Sequence, residues 1–244
     1  MADLAVTLPS THAHRPSRAA DRLFFSAMPF VMMAMVLYGF ARTYFLAGMV
    51  AAPLPNKLIH IHGAVFTSWM ILLIGQTALV STKNVKLHMK LGLFSFGLAA
   101  AMLVLGSLAA VNAMRRGSGP LGLDPQTFFV IPVSGMLLFG VLVLFAYRLR
   151  RNVEAHKRLI LLATMALMDA AIGRFPIRVL QQYPPTQDLV MLALLLVLVL
   201  FDLFNLHRVS KYTLRGALFV FAVHAVRVPL GHTAAWHAMT RHLL

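Results

Sequence analysis

The sequence predicts an all-α, polytopic bundle of about seven transmembrane helices, and three observations lead to this prediction. Hydrophobic residues make up 59% of the 244-residue chain and charged residues only 12%, about half of the charged fraction of a typical soluble domain. The hydrophobic residues come in blocks of about 20, the length that an α-helix needs to cross a hydrocarbon core about 30 Å thick. Short loops rich in Pro, Gly, Lys and Arg separate the blocks.

The predicted domain organisation is a membrane domain between two tails. Residues 1–21 are polar and contain Pro, Ser and Thr, which predicts a flexible cytoplasmic tail. Residues 22–230 form the predicted transmembrane domain, and residues 231–244 form a predicted periplasmic C-terminal tail. The seven predicted spans are Leu23–Phe45, Leu58–Val80, Leu91–Met114, Phe128–Tyr147, Leu159–Ile177, Leu189–Leu206 and Gly216–Leu230.

Local features support each of the first four spans. The first span ends with Arg42 and Tyr44, whose polar tips can reach the membrane interface. The second span contains no Lys, Arg, Asp or Glu. The third is rich in Gly and Ala, small residues that let helices pack closely in lipid. The fourth has Pro132 in its first turns, where a helix tolerates proline better than in its middle.

The last three spans contain charged residues, and the loops between spans predict the orientation of the chain. The fifth span holds Asp169 and Arg174, the aliphatic sixth span has Asp202 near its end, and the short seventh span contains His224 and Arg227. Seven spans place the two termini on opposite sides of the membrane. The side that includes the N-terminus holds most of the 22 Lys and Arg residues, which predicts a cytoplasmic N-terminus in a bacterial inner membrane.

Charge and cysteine content restrict the function classes. The formal net charge is +15, with 22 basic against 7 acidic residues. Because most basic residues fall in short loops, the positive-inside rule and anionic lipid explain them, and no nucleic-acid partner is predicted. The expected partner is the lipid bilayer, with other membrane subunits or a second copy of the chain as further candidates. The chain has no cysteine, so any metal or haem needs His, Met, Tyr or carboxylate ligands.

Ionisable residues within the predicted spans are the candidate functional residues, because burying them in a membrane is costly and usually marks a site. His60 and His62 lie near the outer end of the second span. They are about 200° apart around the helix, so they cannot both face one pocket. Other polar residues are predicted in the outer half of the membrane on other spans: Asp169, Arg174, His224 and Arg227.

Two further histidines lie at the predicted inner edge of the membrane. His88 and His156 occur in similar segments, LHMKLGLFSFGLAAAM and AHKRLILLATMALM, each with a basic residue and a leucine shortly after the histidine. This similarity is expected either from an old internal duplication, which is common in membrane proteins, or from chance.

The histidines predict a haem-binding or redox-associated membrane protein that takes part in electron transfer. Two histidines on different spans can supply the axial nitrogens of a b-type haem, and nearby arginines can neutralise its propionates. His60 or His62 with His224 would hold an outer haem or metal ion, and His88 with His156 an inner haem. Two haems on opposite faces would carry electrons across the membrane.

Two other functions fit the same sequence. In a small-molecule or proton-coupled transporter, Asp169, Arg174, His224 and Arg227 would form a titrating relay in a cavity. In an assembly or scaffold subunit of a respiratory complex, the chain would have no catalytic role. Haem requires histidines at matched depth on facing helices, whereas a carrier requires a polar cavity that extends towards the middle of the membrane. The sequence does not decide whether the protein is an enzyme.

Four motifs give the chain a resemblance to known proteins: HIHGAVFTSW, GQTALV, LHMKLG and EAHKRLILLATMAL. With these motifs it resembles a widespread group of bacterial multi-span membrane proteins of unassigned function with an H-x-H-G motif, which implies the fold. Its histidine-bearing spans are also similar to di-haem b-type cytochromes and to membrane proteins that assist haem–copper oxidase assembly. The fourth predicted span has no histidine, unlike the four central helices with paired histidines of a di-haem cytochrome.

Overall fold

The computed structural model describes residues 17–49, 56–119, 122–183 and 185–243, and it confirms the all-α architecture. Within these residues, six helical segments are long and apolar enough to cross a membrane, so the chain is a multi-pass membrane protein. The six segments are Arg18–Phe45, Lys57–Ser81, Val85–Arg115, Pro125–Arg148, Thr186–Leu206 and Lys211–Gly231.

The helices are numbered in chain order. They are α1 (Arg18–Phe40), α2 (Lys57–Ser81), α3 (Val85–Arg115), α4 (Pro125–Arg148), α5 (Val153–Met165), α6 (Asp169–Ile172), α7 (Arg178–Gln182), α8 (Pro185–Leu206), α9 (Lys211–Gly231) and α10 (Ala234–Thr240). A π-helical turn, Ala41–Phe45, extends α1, and a 3-10 turn, Arg241–Leu243, follows α10.

The six long helices form a closed ring around α5. In the order of their contacts around the ring they are α1, α2, α3, α4, α9 and α8, and α8 returns to α1. Helix α5 contacts α1, α4, α8 and α9, and its residues 161–165 are almost completely buried. Phe30, Ile71 and Phe94 on the outer helices are more than half exposed. Because these exposed side chains are apolar, the outer surface of the ring suits a lipid environment.

The fifth predicted span, Leu159–Ile177, is not one continuous helix. The backbone N–H groups of Leu167 and Met168 bond to the carbonyl oxygens three residues earlier, at 3.1 and 2.9 Å, and this tight turn separates α5 from α6. Irregular backbone at membrane depth is tolerated where protein surrounds it, and α5 is surrounded by the ring. Hydropathy alone does not detect such a break, because the residues that form it are themselves apolar.

The α5–α6 segment nevertheless passes from one end of the bundle to the other. Arg158 in α5 pairs with Asp202, near the end of α8. Asp169 at the start of α6 shares Arg227 with Asp188, near the start of α8. The segment therefore runs alongside the length of α8 and makes a seventh passage through the bundle.

Polar side chains at the helix starts explain where several helices begin. Asn56, Asn84 and Asn152 each accept a hydrogen bond from the backbone N–H three residues later, and so cap α2, α3 and α5. Helix α3 therefore begins at Val85, ahead of its predicted start at Leu91. Hydropathy placed the start at the first apolar run, whereas the capping asparagine fixes it in the preceding polar segment.

The loops alternate between two ends of the bundle. At the end that includes the start of α1, here called the N-terminal end, Ser26 bonds to Ser81 and the backbone N–H of Ser17 bonds to Asn205. At the opposite, C-terminal end, Asn56 bonds to Asn112. This alternation is the one that the seven predicted spans require, and the cytoplasmic location of the N-terminal end stays a prediction.

Where the structure describes the two predicted tails, it shows helices. Residues 1–16 of the predicted N-terminal tail lie outside the described residues, and α1 already begins at Arg18. The C-terminal segment contains α10, which packs against the start of α4: Trp236 Nε1 donates to the Gln126 carbonyl at 2.7 Å, and Gln126 Nε2 donates to Thr240. Residues 231–243 are therefore a folded part of the C-terminal end.

Candidate functional site

The candidate site at the N-terminal end is the pair His88 and His156, here called the histidine pair. His88 lies in the first turns of α3 and His156 in the first turns of α5. Their ring centroids are 6.4 Å apart and the ring planes are nearly perpendicular, at 83°. Both residues are half-buried. Two histidines that the sequence placed at one membrane edge are therefore neighbours on different helices.

The two histidines occupy equivalent positions in their helices. The backbone N–H of His88 bonds to the carbonyl of Asn84, and that of His156 bonds to the carbonyl of Asn152. Both asparagines are N-caps followed by valine, so the shared spacing is Asn-Val-x-x-His. The capping asparagine fixes the start of each helix, and the spacing then places each imidazole one turn inside it.

One nitrogen of each imidazole is engaged by the protein. His156 Nδ1 lies 3.0 Å from the carbonyl oxygen of Ala146, and because a carbonyl can only accept, Nδ1 donates and Nε2 keeps its lone pair. The side-chain amide of Gln76 lies 2.7 Å from His88 Nδ1. Because the Gln76 amide nitrogen donates to His88 Nδ1, the neutral ring of His88 carries its proton on Nε2. Of the two rings, that of His156 has the arrangement typical of metal-ligating histidines, in which Nδ1 donates to a protein oxygen and Nε2 keeps its lone pair.

An apolar cleft lies between α3 and α4. It has a volume of about 290 Å³, and its walls include Leu93, Phe96 and Tyr147. Tyr147 directly follows Ala146, the partner of His156, and Leu93 is little more than one turn beyond His88. The cleft therefore begins within about one turn of both histidines along the chain, and its walls consist of residues of α3 and α4.

A second candidate, at the C-terminal end, is a cluster of four charged or titratable side chains, here called the charge cluster. Asp188 Oδ1 accepts from Arg227 Nη2 at 2.8 Å and from His224 Nδ1 at 3.1 Å. Arg227 also donates to Asp169, and His224 Nε2 lies 3.5 Å from an oxygen of that carboxylate. Arg227 and His224 are each joined to both carboxylates, which connects α6, α8 and α9.

The other predicted site residues lie elsewhere. His60 is exposed and its Nδ1 is 3.4 Å from the Tyr44 hydroxyl. His62 packs against Phe66, with ring centroids 4.1 Å apart. Arg174 donates to the Ala170 carbonyl at 2.7 Å and lies over the ring of Phe40. The structure therefore brings His224 together with Asp169 and Arg227, and it does not bring His224 together with His60 or His62.

Sequence reasoning missed three residues. Asp188 lies just before the sixth predicted span, and Gln76 lies inside the second predicted span. Arg158 lies just before the fifth predicted span, yet its side chain is 1% exposed and pairs with Asp202. For the histidine pair, the repeated Asn-Val-x-x-His spacing was available in the sequence as a signal. For Asp188 and Arg158, no local pattern distinguishes a buried charge from one at the interface.

The ligand inventory limits what each candidate could hold. Among the described residues, no group of three or more His, Cys, Asp or Glu side chains has a geometry that could hold a metal ion. The histidine pair offers two nitrogen donors, which is too few for the four ligands that a structural zinc site requires. Two nitrogen donors are sufficient for a metal-containing group that brings its other four ligands itself. The charge cluster offers donors and acceptors already paired with each other, which suits proton exchange.

Comparisons with known proteins do not add a family to this description. The chain matches no protein-family model, and it has no significant match among curated proteins or solved structures.

Proposed function

We propose that the protein is a haem-binding, redox-associated protein of the bacterial inner membrane, with His88 and His156 as the two axial ligands of one b-type haem. The observation that supports this proposal most directly is the 6.4 Å separation of the two rings. Two imidazoles that bind opposite sides of one metal ion, each at about 2.0 Å, have ring centres about 6 Å apart. When bound there, a haem supplies one-electron redox chemistry.

The chemistry of the donors favours haem over a free metal ion. His156 donates from Nδ1 to the Ala146 carbonyl, which leaves Nε2 as its ligating atom. His88 would ligate through Nε2 once the Gln76 amide turns so that its oxygen, and no longer its nitrogen, faces His88 Nδ1. Since a haem provides four nitrogens to its iron, two imidazoles complete the coordination. The apolar cleft beside Leu93 and Tyr147 suits the hydrophobic part of the macrocycle, and the basic residues at this end of the bundle would neutralise the propionates.

The proposal differs from the two-haem arrangement that the sequence suggested. His224 pairs with Asp188 and Asp169, while His62 contacts Phe66, so these residues do not form an outer pair. We therefore propose a single haem at the N-terminal end, which is the predicted cytoplasmic face. Such a protein exchanges electrons with a partner on that side, and it does not by itself provide a haem-to-haem path across the membrane.

The test is a reduced-minus-oxidised visible spectrum of protein purified from cells with ample haem. The wild-type protein is expected to have a sharp α-band, which is lost in His88→Ala and in His156→Ala. His60→Ala is the matched control, because it removes an exposed histidine of the opposite end, and it is expected to keep the band. A flat wild-type spectrum, or a band that survives in both variants, contradicts the proposal. Size-exclusion profiles of the variants separate loss of ligand from loss of fold.

A proton-coupled carrier is the second candidate function, and one observation favours it. The α5–α6 segment crosses the bundle as two separate helices, and Asp169 is the first residue of the second helix, α6. Many secondary transporters place substrate or ion sites at discontinuous helices. The test is acidification of the lumen of proteoliposomes under an imposed potassium diffusion potential. Proton entry that requires Asp169 supports the carrier, and a lumen no more acidic than that of protein-free liposomes contradicts it.

A further inference from the structure

The charge cluster has an arrangement that the haem proposal does not use. His224 stands between two carboxylates, with Nδ1 at 3.1 Å from Asp188 and Nε2 at 3.5 Å from Asp169. Arg227 bridges the same two carboxylates through its two terminal nitrogens. The imidazole therefore has one nitrogen facing each acid, and an imidazole can accept a proton at one nitrogen and donate from the other.

The charges of the cluster balance only when His224 carries a proton. Two carboxylates and one guanidinium leave one negative charge uncompensated, and an imidazolium cancels it. An uncompensated charge is costly in a low-dielectric environment. A neutral imidazole has a single N–H, so it can donate to one of the two carboxylates and leaves the other without that contact. One proton thus decides both the net charge and the number of contacts between α9 and its neighbours.

The two carboxylates of the cluster differ in their exposure. The side chain of Asp188 is 46% exposed, whereas that of Asp169 is 16% and that of His224 is 8% exposed. His224 Nε2 is buried without a hydrogen-bond partner in the described part of the chain. A cleft of about 190 Å³ between α8 and α9 reaches both Asp188 and His224. Protons can therefore reach the ring from Asp188, and the unpartnered Nε2 faces the inner carboxylate.

Three charged groups surround His224. The charged groups that face it are Asp169 at the start of α6, Asp188 on α8 and Arg227 on its own helix. Helices α4, α5 and α10 also pack on α9, and within the described residues they bring no charged side chain into contact with this ring. Its protonation is therefore governed by these three groups.

We propose that the charge cluster is a proton-exchange site, in which His224 passes a proton between the exposed carboxylate of Asp188 and the inner carboxylate of Asp169. A proton enters at Nδ1 from Asp188, the opposite N–H at Nε2 gives its proton to Asp169, and the ring returns to its first state by the reverse steps. Arg227 holds both carboxylates in place throughout. This site lies at the opposite end of the bundle from the histidine pair and does not depend on haem.

The test is nitrogen-15 NMR of histidine-labelled protein in lipid bilayers, which distinguishes the two neutral tautomers of the ring. The His224 resonances are identified by their loss in His224→Gln. In the wild-type protein, the ring is expected to exchange its proton between Nδ1 and Nε2, so that the two nitrogens give averaged resonances. In Asp188→Asn and Asp169→Asn the proton is expected to stay on the nitrogen that faces the remaining carboxylate, so that each variant gives the separate resonances of one tautomer.

Asp124→Asn is the matched control. It removes a carboxylate of the same end that lies 3.9 Å from a different histidine, His237, and it is expected to leave the His224 resonances unchanged. The proposal is overturned by a wild-type His224 that keeps one tautomer, which needs no variant to fold. It is also overturned if the Asp188 and Asp169 variants change the His224 resonances no more than the control does. Because the visible spectrum of His224→Gln is expected to equal that of the wild type, this test and the haem test fail independently.

Discussion

The most completely buried charged pair in the described chain is Arg158 with Asp202, whose side chains are 1% and 0% exposed. Asp202 also accepts from the backbone N–H of Ser210 at 3.0 Å and from the Thr213 hydroxyl. These bonds tie the first turns of α5 to the loop between α8 and α9. Such a pair gives little net stability compared with apolar residues, but removing one partner leaves a buried charge unpaired.

We expect Asp202→Ala to lower the free energy of unfolding by about 3–5 kcal/mol, because Arg158 then stays buried without its carboxylate. The measurement is chemical unfolding in detergent micelles. Asp21→Ala is the matched control: Asp21 pairs with Lys157, next to Arg158, but both side chains are more than a fifth exposed, so the expected loss is about 0–1 kcal/mol. Equal losses in the two variants would contradict the account of the buried pair.

Asp124 predicts a pH dependence at the C-terminal end. Hydrogen bonds from the Thr127 side chain and backbone N–H lower the pKa of this carboxyl, which caps α4. Since the folded pKa is depressed, the cap stabilises the fold above the ordinary pKa of about 3.9 and is lost as the pH falls through the lower folded value.

The reporter for this cap is Trp236, which is bonded to Gln126 in the first turn of α4. In a Trp69→Phe background, we expect Trp236 emission to shift to longer wavelength as the pH falls below the ordinary carboxyl pKa of about 3.9 and Asp124 is protonated. In Asp124→Ala the shift is expected to be present already at neutral pH, because alanine has no acceptor for the first-turn N–H groups. An acid transition that is identical in both proteins would show that Asp124 does not hold α10 on α4.

Depth in the membrane can be read from the sequence, and it predicted which candidate residues lie at the same level of the bundle. His88 and His156 were placed at one edge, and Asp169, His224 and Arg227 in the same half of the membrane; both groups are together in the structure. The predicted pairing of His224 with His60 or His62 used depth alone. Depth does not specify which helices are neighbours, and α2 packs on α1 and α3, while α9 packs on α4, α5 and α8.

At the scale of elements, hydropathy predicted the six long helices and the approximate position of the α5–α6 segment. It could not predict that this segment is split into two helices, because the break depends on the protein around it. Close packing supports this break. A Cβ atom on Gly39 of α1 would lie 2.3 Å from the carbonyl oxygen of Ala171 in α6, so α1 and α6 approach each other at a position that accepts only glycine.

We expect Gly39→Ala to destabilise the protein by about 1–3 kcal/mol, because the methyl group meets backbone that cannot rotate away. Gly75→Ala is the matched control, since a Cβ atom there has nothing within 4 Å. That substitution is expected to be neutral or stabilising by up to about 1 kcal/mol through helix propensity. Thermal unfolding in the same detergent measures both, and a stable Gly39→Ala protein would contradict the close approach of α1 and α6.

At the scale of the whole molecule, the ring of six helices around α5 separates two sites. The histidine pair lies at the N-terminal end and the charge cluster at the C-terminal end, and α5–α6 contributes a residue to each. The number of crossings followed from the sequence. The circular order of the helices did not, because each helix has an apolar surface on most sides and lipid hides the usual amphipathic signal.

The orientation of the molecule is tested by single-cysteine labelling, which is clean because the chain has no native cysteine. We expect Ser118→Cys to react with a membrane-impermeant maleimide in intact spheroplasts, and Arg151→Cys to react only after the membrane is permeabilised. The reason is the excess of basic residues at the N-terminal end. Labelling of Ser118→Cys only from the cytoplasmic side would reverse the topology and place the histidine pair on the periplasmic face.

The measurement that tests the central claim most directly is electron paramagnetic resonance of the oxidised, purified protein, with the haem content measured on the same sample. Because the rings of His88 and His156 are 83° apart, we predict one haem per chain and a highly anisotropic low-spin ferric signal, as perpendicular axial imidazoles produce. Either single alanine variant is expected to lose this signal. Protein without haem, or a high-spin signal from a single axial ligand, would contradict the claim that these two histidines bind one iron.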